Sequence, residues 1–118
     1  MLDGTPEIIE RRRSQDEAAL LSAVSRVELI PGAYVDGRLD RSRAARLEAF
    51  LEEVEILPFT ESEVDAYQSI IAANGFSRRL VIDRMIAATA LANELGLATL
   101  NPKDFRGIAG LAVEDWSN

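Results

Sequence analysis

The segment that most constrains this chain runs from Asp83 to Phe105, DRMIAATALANELGLATLNPKDF. Its alanine-rich first half has apolar residues at helical spacing, with Met85, Ile86, Ala90 and Leu91 set for burial. Small side chains let such a helix lie close against a sheet. Gly96 is expected to end the helix, and Leu97–Thr99 reads as a short buried strand. A polar corner, Asn101-Pro102-Lys103-Asp104, follows it. A helix, a tight turn and a strand in that order predict an α/β fold with a largely parallel sheet. Such sheets gather ligands at the carboxyl ends of their strands. Asp83 stands at the mouth of the helix, and Asn101 and Asp104 stand just past the strand. Glu28 follows the apolar run Leu20–Val24 in the same way.

Composition narrows the chemistry. The 118 residues suit one domain spanning 1–118, and 47% hydrophobic with 28% charged residues is ordinary for a globular protein. There is no histidine and no cysteine, which removes histidine bases, serine–histidine triads, disulfides and thiolate metal sites. A metal would be held by oxygen alone, which points to Mg²⁺ or Mn²⁺. Thirteen basic against twenty acidic residues give a net charge of −7, which argues against broad electrostatic binding of nucleic acid. Carboxylates of a metal site count toward that charge until the cation binds. No apolar run reaches the roughly 20 residues of a membrane span, and the N-terminus lacks a signal-peptide core, so the cytoplasm is expected.

Along the chain, Thr5-Pro6 marks a helix start running to about Ser14, with Ile8 and Ile9 inward. Ala18–Val24 reads as a strand and Ser25-x-x-Glu28 as a capping box. Asp40 caps a helix over Arg41–Val54 with Leu47, Phe50, Leu51 and Val54 on one face, and a short strand follows to Leu57. Thr60 and Glu63 form a second capping box, opening a helix that ends at Asn74-Gly75. Ala112–Asp115 is the expected last strand, with Trp116 closing the core. Each acid also has a purely local reading. Glu28 can close its box, Asp83 can sit on the helix dipole, and Asp104 can belong to the corner that Asn101 caps.

Taken together, these segments resemble a known family. LLSAVSRVELIPGA around Glu28, VEILPF at Val54–Phe59, the 83–105 segment and GIAGLAVEDW resemble, in order and spacing, PIN-domain ribonucleases, and most closely VapC-type toxins of bacterial toxin–antitoxin pairs. The resemblance implies a three-layer fold, a mostly parallel sheet flanked by helices. It implies a Mg²⁺- or Mn²⁺-dependent endoribonuclease, with an RNA substrate, a VapB-type antitoxin and a homodimer. Glu28, Asp83 and Asp104 would bind metal, Asn101 would orient water or phosphate, and Ser25 matches a small hydroxyl residue nearby. The alternative is a non-catalytic PIN remnant that only binds an antitoxin or itself. One part departs from the family. PIN domains open with an apolar central strand ending in an aspartate, and here Asp3 has only two residues before it. The first central strand and its acid are therefore expected to be missing, through a late start, a truncated gene or a rearranged sheet.

Overall fold

The computed structural model describes residues 7–10 and 19–117. Seven strands and four helices follow in order: β1 (Ile8–Glu10), β2 (Ala19–Ser22), α1 (Ala23–Leu29), β3 (Tyr34–Val35), β4 (Arg38–Leu39), α2 (Arg41–Glu52), β5 (Val54–Leu57), α3 (Glu61–Asn74), α4 (Val81–Ala92), β6 (Gly96–Thr99) and β7 (Val113–Asp115). The main sheet has five strands in the order β5-β2-β1-β6-β7. β2 pairs in parallel with β5, and β6 with β7, while β1 is antiparallel to both of its neighbours. Four of the five strands therefore point the same way, and the sheet is mostly parallel, as expected.

The central position is not vacant. Ile8–Glu10, read from sequence as part of a helix, fills the gap between β2 and β6 as a reversed strand. Its register sets Ile9 against Leu20 on one side and Ile8 against Ala98 on the other. The physical reason is the unpaired backbone that β2 and β6 would otherwise bury, at about 1–3 kcal/mol for each orphaned group. Ile8 and Ile9 suit the position, since β-branched residues favour a pleated, covered surface. Successive strand residues face opposite ways, and both are buried, Ile9 completely. The expected start of that helix at Thr5-Pro6, its end near Ser14, and Asp3 lie outside the described residues.

Two apolar layers cover the sheet. Ile9, Leu20 and Leu97 pack with Ile70 of α3 and Ile86, Ala87, Ala88 and Ala90 of α4. Ile8, Leu21 and Ala98 pack on the other face with Leu29, Ala33 and Leu47. The alanines of α4 are fully buried, so the helix lies close on the sheet. Phe50, Leu51 and Val54 support the second layer, so the α2 face is spent on the core rather than left for a partner. Apolar side chains that do stay exposed include Val27, Ile30, Tyr34, Val35 and Leu39, around the end of α1 and the β3–β4 hairpin. That hairpin turns at Asp36-Gly37, both at positive φ, where the sequence had suggested only a break. No helix among the described residues is long and apolar enough to cross a membrane.

Local signals settle the other boundaries. The Asp40 carboxylate accepts the Arg43 N–H at 2.9 Å and starts α2. Glu63 accepts the Thr60 N–H at 2.7 Å, completing the expected box, and also takes the Asn93 side chain at 3.2 Å, which ties α3 to the end of α4. Two expectations shift. The turn after α4 is made at Glu94, at positive φ, and Gly96 is already in β6. Trp116 does not close the core: it is 38% exposed beyond the edge strand β7, though its N–H still donates to the Thr99 carbonyl.

Candidate metal centre

The site is built where β2 and β6 end. Ser22 closes β2 and caps α1, its Oγ accepting the Val24 N–H at 3.0 Å. The helix thus starts at Ala23, and the expected Ser25–Glu28 capping box does not form. Ser25 falls inside α1, 1% exposed, and its Oγ has no hydrogen-bond partner. Glu28, one turn later on the same face, reaches solvent. What burial it has raises its carboxyl above the ordinary value, and the charge of Glu7 adds to this.

Ser22 also meets Thr89 of α4 at 3.3 Å, and Thr89 donates back to the Met85 carbonyl. These contacts fasten the end of β2 to α4. Asp83 stands in the first turn of that helix, whose N-cap residue, Leu80, offers no side-chain cap. Its carboxyl is pushed up to about 6, first by burial, then by the charges of Glu7, Asp104 and Glu28, with Arg79 pulling the other way. A helix N-terminus would stabilise the carboxylate by about 0.3–1 kcal/mol, which lowers the pKa. A rise of two units corresponds to about 3 kcal/mol in the opposite sense. Burial and like charges therefore win, and the dipole reading does not account for Asp83.

At the end of β6, Thr99 holds the corner. Its Oγ1 accepts the Asn101 N–H at 2.9 Å and donates to Glu7 at 3.2 Å. A short 3₁₀ turn, Pro102–Phe105, follows, anchored by buried Phe105. The Asn101 side chain makes no capping bond and is exposed. Asp104 accepts Arg79 at 3.2 Å, and Arg79 is otherwise open to solvent, 73% exposed.

The structure thus brings Glu28, Asp83 and Asp104 into one another's fields, as their placement in the sequence suggested, and adds Glu7. Sequence reasoning missed Glu7 because it assigned its segment to a helix. The only signal was the pair of β-branched residues that follows it, and three residues are too few for a strand period. Every donor in the group is oxygen, the chemistry that suits Mg²⁺ or Mn²⁺. The raised carboxyl of Asp83 and the orphaned Ser25 hydroxyl fit a group that a cation and its water would satisfy. Among the described residues no three acids stand in a geometry that would hold a metal ion without adjustment.

Comparison with known proteins places this geometry. The PIN domain family's sequence model matches residues 3–111. Ribonuclease VapC1 of Rickettsia felis is 38% identical over 102 residues, covering 80% of this chain and 74% of that protein. The tRNA(fMet)-specific endonuclease VapC of Shigella flexneri is 31% identical, with 82% and 74% covered. Among solved structures, DNA-bound VapBC from Salmonella typhimurium superposes with a TM-score of 0.69 at 27% identity, covering 82% of this chain and 74% of that one. VapBC-1 from nontypeable Haemophilus influenzae gives 0.71 at 25% identity, with 92% and 81% covered. Order of segments, sheet, acid cluster and relatives agree, and the chain belongs to the PIN-domain family, among its VapC-type toxins.

Proposed function

We propose that this protein is the endoribonuclease of a VapBC-type toxin–antitoxin pair and that it cuts RNA phosphodiesters with the help of Mg²⁺ or Mn²⁺. The observation that carries the reading is Asp83, held up near 6 by burial and by three other acids at the carboxyl ends of the strands. Glu28, Asp83 and Asp104 would hold the cation, and Asn101, exposed and free of capping duty, would orient water or a phosphate oxygen. The bound ion would supply activated water for in-line attack and charge to stabilise the transition state. The chain's own part is to hold the acids deprotonated beside that charge, with Arg79 at the rim next to Asp104. Its partner would be a VapB-type antitoxin, as in the VapBC complexes it resembles, with a homodimer as the working unit in the cytoplasm.

Cleavage of a mixed RNA pool with Mn²⁺, measured for the parent chain and for Asp83→Asn, tests this. Metal-dependent cleavage lost in the variant is the expected result; equal cleavage by both would overturn it. A second reading, a remnant that binds antitoxin without cleaving, draws on the lack of a ready-made three-acid metal cage among the described residues. It predicts antitoxin binding with no cleavage at any metal concentration.

A further inference from the structure

We propose that Glu7 is an additional cation-binding acid of this site, delivered by the reversed central strand. The inference rests on the metal reading above and deepens it. Because β1 runs against its neighbours, its first residues lie level with their carboxyl ends. The registers Ile9↔Leu20 and Ile8↔Ala98, each carried on toward the start of β1, set position 7 between Ser22 and Thr99, the last residues of β2 and β6. Side chains alternate along a strand, so Glu7 shares the face of Ile9, the face on which α4 packs. Thr99 holds the carboxylate there at 3.2 Å. Among the charges acting on Asp83, that of Glu7 is the largest, and it reaches Glu28 as well. A parallel strand of the same length would bring its last residue, not its first, to this place. Reversal therefore converts the residue before the strand into a site residue.

An independent observation points to a ligand at this place. The Ser25 hydroxyl is sealed from bulk water and unpartnered, on the face of α1 that carries Glu28. A buried hydroxyl left alone is unfavourable, and a cation's water shell between Glu7 and Glu28 would satisfy it. A carboxylate whose only role was to accept from Thr99 would leave both the repulsion on Asp83 and the orphaned hydroxyl uncompensated.

The test is a Mn²⁺ titration of the full chain followed by its melting temperature, with Glu7→Gln, Asp83→Asn, Thr99→Val and Asp3→Asn alongside. Glu7→Gln keeps the length of the side chain and an oxygen for Thr99, so it separates charge from the hydrogen bond. The expected result is a Mn²⁺ dissociation constant raised about tenfold or more in Glu7→Gln, with a metal-free melting temperature no lower than the parent's. Thr99→Val, which leaves the carboxylate in place, is expected to keep most of the metal response even if it melts earlier. An unchanged Mn²⁺ response in Glu7→Gln, with the response lost in Asp83→Asn, overturns the proposal and leaves the metal reading standing. Loss in Asp3→Asn with Glu7→Gln unchanged overturns it in favour of Asp3. No Mn²⁺ response in the parent overturns both.

Discussion

Two central strands lie side by side in this molecule and were specified in opposite ways. β6 arrives with its own helix: α4 is periodic and alanine-rich, and the strand ends in a polar corner. Its local pattern alone names it. β1 is three residues long, with no cap and no period, and its sequence reads locally as a helix. It is a strand because β2 and β6 present backbone that must be paired and two apolar layers that Ile8 and Ile9 complete. The comparison teaches that one element carries its structure in itself and the other receives it from its surroundings. The acids divide in the same way. Asp83 and Asp104 belong to the α4–β6 unit, while Glu7 joins them only because β1 is reversed.

The sharpest way to break the comparison is to weaken β1. Ile9→Ala should cost about 2–5 kcal/mol by urea unfolding, since Ile9 is fully buried and the cavity would lie between two strands. A loss below about 1 kcal/mol would mean that β1 is not the centre of the core.

Asp83→Asn probes the other strand's acid and should act in the reverse sense. Removing a carboxyl that folding holds well above its ordinary value should stabilise the metal-free protein at pH 7. The size is about 1–2 kcal/mol, taken below the 3 kcal/mol of the full shift because solvent screens the group. Melting curves at pH 7 without metal check this, and a destabilised variant would contradict the repulsion inferred here.

The same group sets a pH dependence. With a folded pKa near 6 against an ordinary 3.8, the folded chain binds more protons than the unfolded chain between those values. Asp83 should therefore lower stability as pH rises from about 4 to about 6, with its contribution level above that. Guanidinium melts across this range should show the fall, and it should flatten in Asp83→Asn.

The smaller effects sharpen the local side of the comparison. Glu63→Ala should cost about 1 kcal/mol, because it removes a capping box and the tie from α3 to Asn93. Arg79→Ala should change stability by no more than about 1 kcal/mol, since its ion pair with Asp104 is solvent-exposed. It should still raise the Asp83 pKa further, because Arg79 is the one charge that lowers it, and carboxyl NMR titration would read that change.

By itself the sequence determined what local chemistry can determine. The caps at Asp40 and Thr60–Glu63, the strand Val54–Leu57 and the small-residue face of α4 all lie where their side chains called for them. An oxygen-only donor set follows from the absence of histidine and cysteine. Only the tertiary structure decided the rest. Ser22 took the cap expected of Ser25, because the end of β2 fixed where α1 could begin. Trp116 stayed on the surface, because the edge strand β7 has exposed faces. Ile8 and Ile9 became a strand, and Glu7 a neighbour of Asp83, because pairing partners and opposing faces lie far away in the chain. A helix cap is settled within four residues of itself. The direction of a three-residue strand is settled by the gap it fills.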